Sequence, residues 1–573
     1  MSPAADALCD PYDQPPTFFD KHRDWVWAVS IFVATVVLTV LSYPPYFPEF
    51  AYAFAAPAIF WAYLRPDFKL YAGTIAAAQM VAWTIMLGWL HHVTWLGLLL
   101  LGPFIGLWVG VWYLAAWWLM PRMIGRPTLN RLVMMLGLAA VWVIIEWTRN
   151  WLLSGFPWMP LAATQWTMVS MLQVAAYTGA VGVSFMVISV NIAFAAYAHR
   201  LFREGAKGLN RRSQEFFLVL FLVLACFCLF LVETMNRRGF TKPLARVAFV
   251  QPYIPQSVKW DESKADSIRQ TLEELTLRAG ESHPDLILMP EAVTPYAVKG
   301  EPWMQKWTEQ LVARAGAQLL LGSVEIENPN SPNPIWRNSA FLIDPVSGLT
   351  PYGYSKRHLV PFGEYVPFRG ALGWLKKFTD VGDGDFQAGK DASPMLVNSA
   401  SGPFMIGPLI CYEDIFPNLA RESVLQGADA IAVVTNNAWY GEGGAAYQHA
   451  AHSVLRAVEM RRPVLRSGNG GWSGWIDEYG FIQAELKRLP GGGVTTKPRR
   501  DPTADEQLKG GSVYFRGTAT VNVSYDTRWR GKLSFYAEHG DWFVSLCAGL
   551  ATFAYYIARI SKVPQKPAGE DAA

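Results

Sequence analysis

The chain has 573 residues, 52% of them hydrophobic and only 17% charged, whereas soluble domains carry about 25% charged residues. The charge deficit is confined to the apolar blocks between Trp25 and Thr234, which excludes a wholly soluble chain. A net charge of +3 with no Lys/Arg-rich run argues against a nucleic-acid partner.

Residues 1–24 form a polar N-terminal tail with charges of both signs, unlike a cleavable signal peptide. Asp6–Cys9 faintly resembles a lipoprotein cleavage box, but no apolar stretch precedes it, and it reads as plain cytoplasmic tail. A helix needs about 20 mostly apolar residues to cross a bilayer. Eight segments are candidates: Trp25–Ser42, Phe50–Leu64, Leu70–Leu90, Val93–Met120, Leu132–Trp147, Gly179–His199, Phe216–Glu233 and Trp542–Ile560. Seven of them make a membrane domain over residues 25–241; the eighth, with a short cytoplasmic tail, occupies 541–573. Trp and Tyr at many of the ends suit interfacial anchoring.

Basic residues in short loops set the orientation. With the N-terminus inside, the inside loops hold Arg65 and Lys69, then Arg122, Arg126 and Arg131, then Arg200, Arg203, Lys207, Arg211 and Arg212. Lys562 and Lys566 follow in the tail. The outside loops Tyr43–Glu49, His91-His92 and Thr148–Thr178 contain one basic residue, Arg149. Both termini then lie inside and the block 242–540 outside. A transporter or channel would keep ionisable residues within its spans; here Glu146 and Arg149 stand at a span end.

The block 242–540 alternates strand and helix signals. Strands are expected at Arg246–Val250, Leu286–Met289, Gln318–Val324, Ser339–Ile343, Phe404–Ile410, Ala430–Val434 and Pro463–Ser467. Helices are expected at Lys264–Arg278, Trp303–Ala315, Pro417–Gln426 and Gln448–Met460, and Pro490–Gly510 reads as a surface loop. This pattern implies a layered α/β domain.

Of the five cysteines, Cys9, Cys226, Cys228, Cys411 and Cys547, only Cys411 lies in this block, so no disulfide framework is implied. Cys226 and Cys228 sit inside an apolar run, and His358, His449 and His452 have no ligand-like arrangement; no metal and no cofactor are expected. Glu291 and Cys411 each stand at or just beyond the end of an apolar run, and Lys356 follows Tyr352–Ser355. Ligand sites of α/β sheets assemble at the C-terminal ends of strands. There Glu291 can take the thiol proton, Cys411 can attack a carbonyl, and Lys356 can stabilise the oxyanion, with the Tyr412 N–H as a second donor. Lys356 is also expected to lower the thiol pKa. Singly, each residue has a plainer reading, an inert buried thiol or a surface ion pair, but Glu364 and Glu413 flank the same loops. The residues alone point to a cysteine-dependent acyl transferase or hydrolase.

The order of Glu291 in Met289–Ala292, Lys356 in Tyr354–Arg357 and Cys411 in Ile410–Glu413 resembles the nitrilase superfamily. Within it the chain resembles the apolipoprotein N-acyltransferase family, through Lys356–Pro367, Ile410–Pro417, Thr435–Gly441, Gln448-His449, Arg456–Glu459, Arg462-Pro463 and Arg466. Glu146–Arg149 and Gly155-Phe-Pro-Trp158 extend the likeness into the membrane half. Asn437 stands where this family usually has Asp, and Trp472 where a smaller apolar residue is usual. The resemblance implies an eight-span helical bundle joined to an αββα sandwich outside a bacterial inner membrane. It implies acyl transfer from a phospholipid, through a Cys411 thioester, to the N-terminal amine of a diacylglyceryl-cysteine apolipoprotein. Glu291 is then the base, Lys356 the oxyanion partner and Glu364 a second active-site carboxylate. Tyr412 and Glu413 shape the pocket, and Phe416, Asn436 and Trp439 line it. A membrane-tethered amidase or nitrile hydrolase would use the same triad with water as the second nucleophile. A non-catalytic lipoprotein-binding scaffold would not need all three positions filled.

Overall fold

The computed structural model describes residues 22–205, 212–235, 237–367, 385–497 and 510–561. Cys9, Lys21, Lys207, Arg211, Lys562, Lys566 and most of the Pro490–Gly510 loop lie outside the described residues. The first half is helical: α1 (Arg23–Ser42), α2 (Ala56–Tyr63), α3 (Phe68–Met86), α4 (Trp95–Met123), α5 (Thr128–Thr148), α6 (Ala180–Phe202) and α7 (Gln214–Thr234).

Among the described residues, six helices are long and apolar enough to cross a membrane: α1, α4, α5, α6, the segment starting with α7, and Trp542–Ile560 after the second half. The protein is a multi-pass membrane protein. Helix α3, with 19 residues, rises about 28 Å, and Asp67 caps it by accepting from the Lys69 and Leu70 N–H groups. The expected span Phe50–Leu64 is different: it folds as a 3-10 turn, Pro48–Tyr52, followed by α2. Eight residues rise only about 12 Å, far short of a bilayer core. Its apolar run answers to protein instead of lipid, since Ala51, Phe54, Ala55, Ala58, Ile59 and Ala62 are all fully buried. Asn191 of α6 binds this segment on both sides of the break, accepting from Ala55 N–H (2.9 Å) and donating to the Ala51 carbonyl (2.8 Å).

The second half contains, in order, β1 (Thr241–Gln251), α8 (Ala265–Gly280), β2 (Leu286–Leu288), α9 (Pro302–Ala315), β3 (Gln318–Glu327), β4 (Ile335–Asp344), β5 (Gly348–Leu349) and β6 (Tyr354–Ser355). Then come β7 (Met395–Val397), β8 (Phe404–Ile410), α10 (Pro417–Leu425), β9 (Ala430–Thr435), α11 (Ala445–Met460), β10 (Val464–Gly468), β11 (Gly474–Ile476) and β12 (Ile482–Glu485). The small pair β13 (Lys487–Arg488) and β14 (Val494–Thr495), then β15 (Gly517–Asp526), precede α12 (Trp542–Ile560).

One sheet runs β15-β1-β2-β3-β4-β5 with β6 also on β4; the other runs β12-β11-β10-β9-β8-β7. Strands β1, β2 and β3 are mutually parallel, as are β8, β9 and β10. Their apolar runs are buried on both faces, as parallel strands covered by helices require. Phe249, Leu286, Leu288 and Leu320 of the first sheet meet Ile406, Ala432, Val434 and Leu465 of the second in the inner core. Residues from α8 and α9 cover the outer face of the first sheet. Residues of α10 and α11 cover the second and continue into the core of the membrane half as one cluster. The architecture is a membrane helical bundle joined to an αββα sandwich.

Helix α11 carries that junction. All its residues except Tyr447 are buried. The Gln448 side-chain oxygen accepts from the indoles of Trp89 (3.2 Å) and Trp158 (3.0 Å), and its Nε2 donates to the Met86 carbonyl (3.2 Å). Farther along, Glu459 Oε1 accepts from Ala180 N–H at 2.7 Å, fixing the start of α6. On the membrane side Glu146 accepts from Leu161 N–H, Ser184 Oγ and Trp142 Nε1, while Arg149 donates to the carbonyls of Phe156 and Trp158. Buried charges persist only when paired or hydrogen-bonded. This pair is held by the backbone of the 155–161 loop, which it presses onto the sandwich.

Candidate active site

The three expected residues arrive from different strands and converge. Glu291 stands three residues beyond β2, Lys356 follows β6 directly, and Cys411 follows β8 directly. Two come from one sheet and the third from the other, so the site lies on the seam of the sandwich. Glu291 spans that seam. Its Oε1 accepts from Asn338 Nδ2 of β4 at 2.8 Å, and its Oε2 accepts from the Asn436 N–H beyond β9 at 3.0 Å. Gly322 of β3 makes room for this bend, because a Cβ there would come within 2.6 Å of the Glu291 Cα.

The Lys356 ammonium is 1% exposed and lies 2.9 Å from Glu364 Oε1 and 3.4 Å from Glu291 Oε1. Asn338 Nδ2 donates to both carboxylates, at 2.8 Å each, so one amide sets their spacing. Burial works against the ammonium, yet Glu364 and then Glu291 outweigh it and hold Lys356 above the ordinary lysine range. Burial likewise works against the Glu291 carboxylate, but Lys356 and Lys259 outweigh it and keep it below the usual range. Lys259 escaped the sequence reading. It is buried, donates to the Glu291 carbonyl at 3.3 Å, and is brought down by burial to about 8. Its position in the loop after β1, beyond a strand's C-terminal end, was the signal that could have found it.

Cys411 opens a 3-10 turn, Cys411–Ile415, and has a left-handed backbone with φ of 52°. That conformation costs a non-glycine residue energy and recurs at functional positions. Glu291, Thr435 and Tyr440 are the polar neighbours of the thiol. Lys356 pulls the thiol pKa down as expected, but burial and then the Glu291 charge outweigh it and push Cys411 up to about 12. Cys411 therefore rests as a thiol beside a carboxylate.

Glu413 has a positional role. Its Oε1 accepts from the N–H groups of Arg357 (2.6 Å) and His358 (3.1 Å), and its Oε2 from Tyr354 Oη (2.7 Å) and Ile410 N–H (2.8 Å). A fully buried carboxylate thus staples the Lys356 loop to the Cys411 turn. Tyr412 donates from its hydroxyl to the Gly155 carbonyl at 3.0 Å, tying the turn to the membrane half. Its N–H lies in the first turn of the 3-10 segment, where such groups lack a partner within the turn. Phe416 is 1% exposed and wedged against His358 (4.0 Å between ring centroids) and Tyr412 (5.1 Å). Asn436 is buried and hydrogen-bonded to Gln256 and Asn469, whereas Trp439 is half-buried in the following turn. Trp472 is fully buried, its ring set against Gly474. Trp158 of the membrane-half loop packs over His449 at 5.2 Å and Tyr440 at 5.9 Å. No metal-holding group of His, Cys, Asp and Glu occurs among the described residues.

Residues 35–193 match the family model described as apolipoprotein N-acyltransferase N-terminal domain, and residues 246–496 match that of carbon-nitrogen hydrolase. A protein named apolipoprotein N-acyltransferase from Geobacter metallireducens is 33% identical over 356 residues, 61% of this chain and 65% of the relative. One of the same name from Brucella melitensis is 34% identical over 362 residues, 61% of this chain and 64% of the relative. The matched region thus spans just under two thirds of each of those two proteins. A third, from Chlorobaculum tepidum, is 28% identical over 453 residues, covering 75% of this chain and 77% of itself. Among solved structures, an amidase from Nesterenkonia sp. is similar at 17% identity and a TM-score of 0.35, over 53% of this chain and 96% of its own.

The charges around Cys411 make opposite predictions for two variants. Removing the Glu291 charge (Glu291→Gln) relieves repulsion of the thiolate, so the midpoint of iodoacetamide alkylation against pH moves down. Removing the Lys356 charge (Lys356→Met) takes away attraction, so the midpoint moves up and alkylation at neutral pH slows. Rates followed by intact mass over mildly acidic to alkaline pH check both; shifts in the same direction would contradict the electrostatics.

Proposed function

We propose that this chain, which belongs to the apolipoprotein N-acyltransferase family, moves a fatty acyl chain from a membrane phospholipid through a Cys411 thioester to the N-terminal amine of a diacylglyceryl-cysteine apolipoprotein. The observation that carries the reading is the position of the nucleophile. The Cys411 turn is bound through Tyr412 to Gly155 of the membrane half, so the thiol lies where the sandwich meets the bilayer-spanning helices. Both substrates are anchored lipids and reach such a site by diffusion in the membrane plane.

In the first step Sγ attacks the ester carbonyl while its proton passes to Glu291. The oxyanion forms beside the Lys356 ammonium, with the Tyr412 N–H as second donor. Collapse breaks the bond to the glycerol oxygen, which takes the proton from Glu291 and leaves as a lysophospholipid. In the second step the acceptor amine attacks the thioester, Glu291 takes the amine proton, and the proton returns to Sγ as the C–S bond breaks. Glu364 keeps Lys356 charged and in place throughout. Neither step calls for a cofactor.

The catalytic sandwich is assigned to the outer, periplasmic side of a bacterial inner membrane. Support comes from the basic loops at Arg122–Arg131 and Arg200–Arg212, which lie on one side of α5 and α6, opposed by Arg149 alone on the other, with α7 then carrying the chain across to the sandwich.

Two experiments test this. Full-length protein in phospholipid vesicles with a diacylated lipopeptide should yield triacylated peptide and one lysophospholipid per transfer. Cys411→Ala should yield neither. Hydrolysis of small soluble amides without transfer would instead favour the amidase alternative. For topology, single cysteines introduced at Val346, 95% exposed, and at Arg203 are labelled in intact cells with an impermeant maleimide. Labelling at 346 above the parent background, with 203 protected, is expected; the reverse would overturn the orientation.

A further inference from the structure

Behind the nucleophile lies a fully buried polar chain that the two-step reaction does not use. His449 of α11 places Nε2 2.8 Å from Asp414 Oδ1 and 3.2 Å from the Cys411 carbonyl oxygen. Asp414 is in turn held by Arg466 at 2.5 Å and by Ser453 Oγ at 2.7 Å. On the other side of the ring, Nδ1 lies 3.1 Å from the Asn437 amide. All five side chains are at most 1% exposed.

The hydrogen-bond inventory around Asn437 decides the charge of the ring. Both oxygens facing Nε2 are acceptors, so Nε2 carries a proton. With the Asn437 oxygen toward Nδ1, that nitrogen also needs a proton, and the amide NH2 is left buried without an acceptor. Turned by half a rotation, the amide donates one hydrogen to the Nδ1 lone pair and the other to Thr435 Oγ1, 3.3 Å away. Only a carbonyl oxygen is then unpartnered, and a buried oxygen without a partner is tolerated better than an orphaned donor.

We infer that His449 is a positioning residue, kept neutral with its proton on Nε2 by the Asn437 amide, and that it holds the Cys411 carbonyl so that the left-handed backbone presents Sγ to Glu291. The inference rests on the acylation chemistry proposed above. The charged and titratable groups around the ring are consistent with this state. Asp414 faces it from the Cys411 turn, Arg466 from β10, His452 and Arg456 from α11 itself, and Tyr440 from the turn after β9. Burial and Arg466 together outweigh Asp414 and lower the imidazole pKa. Trp158 covers the ring from the membrane half, so the loop that closes the junction also presses on the group that aims the nucleophile.

The test uses the full-length chain in detergent or vesicles with His449→Phe and His449→Gln. Phenylalanine removes the donor to the Cys411 carbonyl. Single-turnover acylation of Cys411 should fall by on the order of 10²-fold, the scale of a misplaced reacting group, with the half-saturating phospholipid concentration unchanged. Glutamine can still reach the carbonyl with an N–H and should recover most of that rate. Equal losses in both variants, or a loss in affinity alone, would overturn the positioning role. If His449→Phe does not fold, nitrogen NMR of histidine-labelled wild type against His449→Gln still decides the charge state, independently of any activity. The signal lost on substitution should contain one protonated and one unprotonated ring nitrogen near pH 6; two protonated nitrogens would contradict the inference. Wild-type protein that shows the neutral ring but never acylates would leave His449 as assigned and sink the acyl-transfer reading instead.

Discussion

Four charges in balance govern this site, three of them buried and the fourth, Glu364, half-buried. Glu291 and Glu364 supply two negative charges, and Lys356 and Lys259 two positive ones. A charge taken out of water costs several kcal/mol unless it is compensated, so the four must be placed together or not at all. A thiolate at Cys411 would add a fifth charge with no counterpart. That is the physical reason the thiol is pushed up to about 12 although an ammonium is close by. The thiol is thus not stored as an anion. In the proposed reaction the thiolate forms only as negative charge moves on to the substrate oxygen, where Lys356 can meet it.

On the proposed chemistry such a site is slow toward stray electrophiles and fast only with a carbonyl placed in register. If thioester formation is the reaction, as proposed, this restraint is useful, because an exposed thiolate would be oxidised or alkylated. Glu291 is correspondingly a weak base at rest, held low by two lysines. In the proposed reaction, proton transfer to it is uphill until attack is under way, so transfer and attack are coupled. Glu413 and Asn338 enforce the geometry: one staples the Lys356 loop to the Cys411 turn, the other spaces the two carboxylates.

Much of this was legible in the amino-acid order. Strands such as Phe404–Ile410 and Ala430–Thr435 are continuous apolar runs because both faces are buried, and helices such as Pro302–Ala315 carry a clear one-sided pattern. Glu291 and Cys411 were singled out because ionisable residues at the ends of such runs stand out, and Lys356 because it follows Tyr352–Ser355 in the loop after a strand. Strand β15 was missed because its Thr-rich sequence is half-buried and lies at the sheet's edge. Phe50–Leu64 looked like a span because hydropathy reports burial, whether in lipid or in protein. Lys259 and Asn338 were not singled out, and His449 was weighed only as a metal ligand and in the family resemblance, since their roles come from contacts between segments far apart in sequence. Burial and the balance of neighbouring charges, which set the thiol's state, have no sequence signature at all.

The account stands or falls on a covalent bond at Cys411. Purified full-length protein mixed with phospholipid vesicles, without any acceptor and quenched in acid within one turnover, should gain the mass of a single fatty acyl chain. Peptide mapping should place that mass on Cys411, and neutral hydroxylamine should remove it. Free fatty acid released with no protein-bound increment, or an increment that persists in Cys411→Ala, would contradict the account.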